Sequence, residues 1–182
     1  RIPHLHNGLG LAQLHLARAA WDAGGAPGSG LGEAHAAFVQ AVAVAPTQVF
    51  GYINLGDLLI WRARTEPGGR RFLDEAERRL RQGLKAAPGH RGPLANLGRL
   101  AAARIETGAG DPVQASASGE AVLARALATN PRDRDSLQYL GELRLAVANG
   151  KVQQKRALRG DFEQAEAPLR KALEEIPDSR ET

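Results

Sequence analysis

The sequence predicts an all-α solenoid of about four antiparallel helix pairs, each contacting only its neighbours. Three recurring features support this fold class: a proline at a nearly fixed period, a small-then-large apolar pattern before each proline, and a Leu-Gly pair upstream. The prolines are Pro46, Pro88, Pro131 and Pro177, spaced 42, 43 and 46 residues apart. Self-similarity at such a period predicts a repeat array.

The second helix of each pair is predicted from a small residue followed four positions later by a larger one. These pairs are Ala34 and Phe38, Ala76 and Leu80, Gly119 and Leu123, and Ala165 and Leu169. Residues three or four apart share one helix face, where the small residue admits a neighbouring helix and the larger one fills the adjacent gap. The proline then ends the helix because it lacks an N–H.

The first helix of each pair is predicted around the Leu-Gly dipeptides. They are Leu9-Gly10, Leu55-Gly56, Leu97-Gly98 and Leu140-Gly141. Glycine inside a helix costs about 1 kcal/mol relative to alanine. Its recurrence therefore predicts a packing reason, namely close contact with the partner helix.

Together these motifs resemble the tetratricopeptide repeat (TPR), with the best match in Tyr52, Leu55-Gly56, Leu59, Ala76, Leu80 and Pro88. The resemblance implies a right-handed superhelical solenoid forming one domain over residues 1–182. The repeats would be approximately 3–46, 47–88, 89–131 and 132–177. The usual period is about 34 residues, and the surplus of roughly 8 to 12 falls between the two helices of each pair. We expect loops along one edge, or lengthened helices. Long-period arrays of this kind are similar to those appended to bacterial serine/threonine kinases.

The composition of the chain bears on its cellular compartment. No uncharged apolar stretch reaches the roughly 18 residues that a membrane span needs, and the chain has no cysteine. We expect a cytoplasmic location, although a cysteine-free chain fits the periplasm as well. Because the sequence begins at Arg1 and contains no methionine, we expect it to be a fragment of a larger protein.

Basic residues concentrate in the middle of the chain. Residues 61–104 hold 11 Lys and Arg against 4 Asp and Glu. Such a stripe could attract nucleic acid or an acidic partner. The simpler interpretation, which we prefer, is a solvated helix face partly neutralised by Glu75 and Glu77. We do not expect a nucleic-acid partner, since few aromatic residues accompany the stripe.

Several helix ends are predicted from capping chemistry. Asp111 before Pro112 suits the start of a helix, and Thr47 and Asp133 are placed to cap the first helices of the next repeats. Asp161 is a candidate cap for the last helix. Pro168 lies inside that helix pattern, so we expect a kink there or a helix that begins near it.

Catalytic and metal-binding motifs receive little support. The glycine-rich run 25–32 lacks the preceding strand and the Gly-Lys-Ser/Thr ending of a phosphate-binding loop. His4 and His6 point to different sides of a helix, and His15 is about 16 Å from His4 along the axis. We therefore expect no enzyme activity, no cofactor and no metal.

The resemblance implies that the first helix of each pair lines a concave groove that binds peptides. By register the lining would comprise Asn7, Leu11, Phe50, Ile53, Asn54, Asp57, Trp61, Ala95, Asn96, Arg99, Gln138 and Glu142. The family's peptide clamp uses Lys and Asn to hold a terminal carboxylate. This chain instead has Ile53, Asp57, Ala95 and Glu142 in those places, so we do not expect it to bind that chaperone tail. Phe50 and Trp61 are either hot spots of the groove or core residues of lengthened helices.

The sequence thus favours a non-catalytic scaffold that binds a protein or peptide partner through the groove, within a larger bacterial protein. A regulatory region of a bacterial Ser/Thr kinase or other signalling enzyme is an alternative, and a nucleic-acid-binding repeat that uses residues 61–104 is another. Solenoids need polar capping elements, and none follows Pro177. We therefore expect the exposed face of the last helix pair to meet a second copy or further chain.

Overall fold

The computed structural model describes residues 3–26 and 30–175, which form eight α-helices and no strand. In chain order they are α1 (Pro3–Asp22), α2 (Gly30–Val44), α3 (Val49–Thr65), α4 (Arg71–Ala86), α5 (Arg91–Glu106), α6 (Pro112–Thr129), α7 (Arg134–Gln153) and α8 (Arg159–Glu174). The prediction of an all-α chain of four helix pairs is confirmed.

The chain divides into two compact units, Arg1–Pro93 and Leu94–Thr182. In unit 1, α1 packs on α2, α2 on α3, and α3 on α4. In unit 2, α6 packs on α7 and α7 on α8. The boundary falls within α5, and the single domain predicted over residues 1–182 stays a prediction.

The glycine of each Leu-Gly pair lies directly against the large residue of the second helix in the same pair. A Cβ built on the glycine would lie 2.5 Å from Phe38 at Gly10, 2.5 Å from Leu80 at Gly56, 2.4 Å from Leu123 at Gly98 and 2.4 Å from Leu169 at Gly141. Real Cβ atoms essentially never approach so closely, so a larger residue would force the neighbouring side chain to shift. The expected packing reason for these glycines is confirmed.

The recurring prolines occupy equivalent turns. Three second helices end at Val44, Ala86 and Thr129, two residues before Pro46, Pro88 and Pro131; Pro177 lies outside the described residues. At each junction the N–H of the fourth turn residue donates to the carbonyl of the first, at 3.0 Å from Gln48 to Ala45, 3.0 Å from His90 to Ala87 and 3.0 Å from Asp133 to Asn130. Proline is therefore the second residue of a β-turn, where its fixed φ is favourable.

The surplus residues of the long period lie mainly in helices. The connection within a pair is only five residues at 66–70, 107–111 and 154–158. Asn149 and Gly150, which belong to the surplus of the fourth repeat, lie inside α7. Of the two expectations, lengthened helices account for the period better than long loops.

The predicted caps have mixed outcomes. Asp111 accepts from the Val113 N–H at 2.9 Å and Asp133 from the Ser136 N–H at 3.1 Å, so both are confirmed. The prediction for Thr47 is wrong, because Gln48 occupies the N-cap of α3 and makes no side-chain cap bond. Asp161 is the third residue of α8 rather than its cap. Its carboxylate accepts from the Leu158 N–H at 2.8 Å.

Pro168 lies buried inside α8, which begins at Arg159. The expectation of a helix that begins near Pro168 is therefore wrong, and the kink stays a prediction. Proline has no N–H for the carbonyl four residues earlier, which belongs to Gln164. The Arg144 guanidinium of α7 donates to that carbonyl at 3.2 Å, and this bond satisfies the acceptor.

Candidate functional site

The first helices of unit 1 bring several predicted lining residues together. The Asn54 amide of α3 donates to the Asn7 side-chain oxygen of α1 at 2.9 Å. Asp57 forms an ion pair with Arg18, whose Nη2 lies 2.6 Å from Oδ2. Both side chains of that pair are largely screened from solvent, with exposed fractions of 31% and 20%. These contacts align α1 and α3 along one surface.

An aromatic cluster adjoins this ion pair. The rings of Trp21 and Trp61 meet edge to face, with centroids 6.3 Å apart and planes at 81°. The Arg18 guanidinium lies 5.8 Å from the Trp61 ring centroid, within the range of a cation–π contact. Trp21 keeps 43% of its surface exposed, and Trp61 is half-buried. A broad ring surface beside a neutralised ion pair suits an apolar side chain of a partner.

Arg18 and Trp21 were absent from the predicted lining. Both continue the spacing that starts at Asn7 and Leu11, since residues 7, 11, 14, 18 and 21 follow alternating steps of four and three. Extending the register along α1 by two turns would have found them.

Phe50 lies at the start of α3 with 60% of its surface exposed. Its ring meets that of His90 edge to face, with centroids 5.7 Å apart. The His90 Nδ1 in turn accepts from the Gly92 N–H at 3.1 Å, which orients the imidazole. Phe50 is therefore a surface residue rather than a core residue.

We call this surface the α1–α3 face and define it by residues with at least partial exposure. They are Asn7, Leu11, Arg18, Trp21, Phe50, Ile53, Asn54, Asp57 and Trp61. A cavity of about 60 Å³ opens beside it, lined by His4, Asn7, Ala41, Gln48, Phe50 and Gly51.

Unit 2 presents different chemistry at the corresponding helices. The Arg99 guanidinium of α5 lies 5.4 Å from the Tyr139 ring centroid of α7. Gln138 donates from Nε2 to Glu142 Oε1 at 2.8 Å. Arg99, Gln138 and Glu142 are partly exposed. The other two predicted residues are buried, Ala95 with 3% and Asn96 with 5% of its surface exposed.

The basic residues of α4 are partly neutralised within their own helix. Arg79 pairs with Glu75 at 3.3 Å and Arg81 with Glu77 at 2.7 Å, both one helical turn apart. His35 of α2 lies 4.0 Å from Glu75, but burial is the larger influence and lowers the pKa of its imidazole. These pairs fit the preferred interpretation of a solvated, internally compensated face.

The described residues contain neither a metal-binding cluster nor a helix suited to a membrane. Within 3–26 and 30–175, no three His, Asp or Glu side chains gather closely enough to hold a metal ion. Among the eight helices above, none combines the length and apolar character that a bilayer crossing requires.

The chain matches no protein-family model and no curated protein. It is similar in structure to a thermophilic TPR protein of Thermus thermophilus, with a TM-score of 0.57 and 23% sequence identity. The match covers 92% of this chain and 74% of that one. At 23% identity the similarity supports the fold alone. The eight described helices are consistent with that fold. The chain has a TPR-like helical-repeat fold, as its sequence motifs predicted.

Proposed function

We propose that this chain is a non-catalytic protein-interaction scaffold that binds a peptide or protein segment through the α1–α3 face. The observation that carries the proposal is the cluster of Trp21, Trp61 and Arg18 beside Asp57. Binding hot spots are enriched in tryptophan and arginine, and both residue types occur together here. The hydrogen bonds across α1 and α3 hold these groups in place, so little order need be gained on binding.

The chemistry of the face defines the partner segment. The two tryptophans offer edges and faces to an apolar side chain, and Phe50 offers a second apolar contact. Residues 50 and 61 are eleven positions apart on α3, about 16 Å along its axis. An extended segment of roughly five residues spans that distance, so two apolar side chains in such a segment would reach both contacts.

The alternatives have less support. In a nucleic-acid-binding repeat the arginines of α4 would face phosphates, whereas Arg79 and Arg81 already lie against Glu75 and Glu77. The regulatory region of a bacterial kinase, and membership of a larger bacterial protein generally, remain proposals from the sequence pattern. Either setting is compatible with a partner-binding face.

Peptide phage display against the purified chain tests the proposal. We expect enriched peptides with paired apolar residues, and Trp61→Ala should weaken their binding by about 30-fold, a hot-spot loss of about 2 kcal/mol. Val113→Ala is the matched control, because Val113 is an apolar residue of unit 2 with 75% exposure. It should leave affinity within about twofold.

Thermal melts of both variants separate lost binding from lost folding. If no peptide is enriched, or if a folded Trp61→Ala variant binds as tightly as the wild type, the α1–α3 face is not the binding surface.

A further inference from the structure

A groove of about 720 Å³ opens between α6 and α7, beside the connection 154–158. Each of these helices has a packing partner on both sides, α5 and α7 for α6 and α6 and α8 for α7. The opening therefore does not depend on where the sequence begins or ends, and it lies within unit 2. We call it the α6–α7 groove and define it by Ile105, Ser116, Val147, Gly150, Arg156 and Leu158.

On the α6 side, the groove results from a serine at a position that is leucine in two other second helices. Ser116 stands three residues before Gly119, the small residue of its helix. The residues three before the small residues of α2 and α4 are Leu31 and Leu73, which are 4% and 1% exposed. Ile105 of α5 takes up part of the volume, because it is larger than the alanines at the equivalent places of α1 and α3. The serine leaves the remainder open.

On the α7 side, the residues that face the groove are also short. Val147 and Gly150 are the sixth and ninth residues after Gly141. The same places in α3 hold Arg62, whose side chain is 17% exposed, and Thr65. Apart from the neighbouring backbone of α7, no heavy atom lies within 4 Å of a Cβ built on Gly150. The groove can therefore accept a side chain that the chain itself does not supply.

The charged residues around the groove leave one cation without an ion pair. Glu120 pairs with Arg144 at 3.0 Å, and Lys151 pairs with Asp161 at 2.5 Å. Arg156 is exposed and lines the groove. Among the residues that the structure describes, no carboxylate pairs with its guanidinium. The groove therefore combines an apolar floor with a free positive charge, which is complementary to an acidic ligand.

The open side of the groove indicates the class of ligand. Val113 and Leu158 form an apolar rim, with 75% and 72% of their surfaces exposed. A drug-sized molecule usually buries about 70–90% of its surface in its pocket, which a groove open along one side does not provide. A peptide segment needs less enclosure, because it can insert one side chain while its backbone stays in water. The shape thus favours a peptide over a small molecule.

We propose that the α6–α7 groove binds a peptide segment that carries an aliphatic side chain close to an acidic residue. The aliphatic side chain fills the space beside Ser116 and Gly150 and contacts Ile105 and Val147. The carboxylate of the segment accepts hydrogen bonds from the Arg156 guanidinium. This site is independent of the α1–α3 face, which belongs to unit 1 and presents aromatic side chains. It would be a second interaction site of the chain.

Titration of the isotope-labelled whole chain with synthetic pentapeptides, followed through its backbone amide signals by NMR, tests the proposal. The panel places one leucine and one aspartate at every pair of positions in a glycine–serine host. Each peptide has a partner in which asparagine replaces the aspartate. We expect peptides of at least one spacing to bind at millimolar concentration and to shift the signals of Ser116 and Gly150. The asparagine partner should bind about two- to fivefold more weakly, as for an exposed charge pair.

Two variants close the groove and a third removes its charge. Gly150→Leu should weaken binding at least about tenfold, and its fold should persist because leucine is the better helix former. Ser116→Leu, which gives α6 the residue of α2 and α4, should act in the same direction. Arg156→Gln should lower the affinity for the aspartate peptide to that for its asparagine partner. Circular dichroism checks each fold. Trp61→Ala is the control and should bind these peptides as the wild type does.

The control separates this inference from the proposed function, since loss of binding at the α1–α3 face leaves the α6–α7 groove unchanged. The proposal would be overturned if no peptide shifted the groove signals up to about 10 mM, or if a folded Gly150→Leu variant bound as tightly as the wild type. Equal binding of aspartate and asparagine peptides would contradict the role of Arg156. Octanoate is titrated in parallel. Groove shifts with octanoate and none with peptides would overturn the proposal in favour of a small amphiphile.

Discussion

The two units share the positions that build a helix pair and differ in the surfaces that their first helices expose. Gly56 against Leu80 in unit 1 and Gly98 against Leu123 in unit 2 have nearly the same geometry, with a built Cβ at 2.5 and 2.4 Å. The exposed surfaces differ in kind. Unit 1 carries two tryptophans and a phenylalanine there, whereas unit 2 carries Arg99 on Tyr139 and a hydrogen-bonded Gln138 and Glu142.

This difference distinguishes the residues that stabilise the fold from those that could contact a partner. A residue buried between the two helices of a pair is constrained by its partner, so the same chemistry recurs in every pair. A residue on the open side of a first helix has no such constraint and can be chosen for a partner. The aromatic surface of unit 1 is therefore the more informative about function, and the glycine–leucine contacts are the more informative about stability.

The comparison is tested most strongly by removing the large residue from one pair in each unit. Leu80 and Leu123 are both 0% exposed, and each occupies the space beside a glycine. Leu80→Ala and Leu123→Ala should each lower the free energy of unfolding by about 2–5 kcal/mol, through lost burial and a residual cavity. Urea denaturation measures both, with Val113→Ala as a surface control expected within about 0.5 kcal/mol. A cost near zero in either unit would show that its pair is not held by this contact.

The helix pairs were predictable because their determinants are local and repeated. The prolines Pro46, Pro88 and Pro131 each occupy the second position of the same type of turn. Gly56 and Gly98 each contact the large leucine of the second helix in their own pair. Whether the surplus residues of each repeat lie in helices or in loops was harder to predict from the sequence. Asn149 and Gly150 are poor helix formers, yet α7 continues through them because its packing on α6 and α8 outweighs propensity.

The candidate face was predicted in part. Asn7, Asn54 and Asp57 follow from the repeat register alone. Arg18 follows only once α1 is known to extend for 20 residues, since the family pattern fixes the positions near the Leu-Gly pair and not those two turns later. The bond from Arg144 to the Gln164 carbonyl depends on two helices meeting, which no local pattern encodes.

A smaller effect is expected when the glycine of a pair is replaced instead of the leucine. Gly98→Ala would place a methyl group 2.4 Å from Leu123 Cγ, so the leucine must move, and we expect a loss of about 1–3 kcal/mol from overpacking. Gly8→Ala is the matched control, because apart from the neighbouring backbone of α1 no heavy atom lies within 4 Å of its built Cβ. It should stabilise the chain by up to about 1 kcal/mol through helix propensity.

Both glycine variants are measured by the same urea titration as the leucine variants. Gly56→Ala extends the comparison to unit 1, where the built Cβ lies 2.5 Å from Leu80 Cδ2, and it should cost about as much as Gly98→Ala. A stabilised Gly98→Ala would mean that Leu123 relaxes freely, which would remove close packing as the reason for the glycine.

The smallest effect concerns the end of α7, where a lysine occupies the position that glycine holds after α1 and α5. After α1 and α5 the chain turns through glycines with positive φ, Gly24 at 80° and Gly108 at 64°, whereas after α7 it turns through Lys155 at 56°. The hydrogen bonds that close the turn are the same. The N–H one residue beyond donates at 2.9 Å from Gly25 to Ala20, 2.8 Å from Ala109 to Arg104 and 2.8 Å from Arg156 to Lys151.

Lysine in this left-handed conformation carries a steric cost of roughly 1 kcal/mol that glycine avoids. Lys155→Gly should therefore stabilise the chain by about 0.5–1 kcal/mol, the gain being reduced by the greater freedom of glycine in the unfolded chain. Gly108→Ala is the reciprocal change and should destabilise by a similar amount. Thermal unfolding followed by circular dichroism measures both. If Lys155→Gly lowers the melting temperature, the lysine side chain makes a stabilising contact that outweighs its backbone strain, and the end of α7 is then held by a different interaction from the ends of α1 and α5.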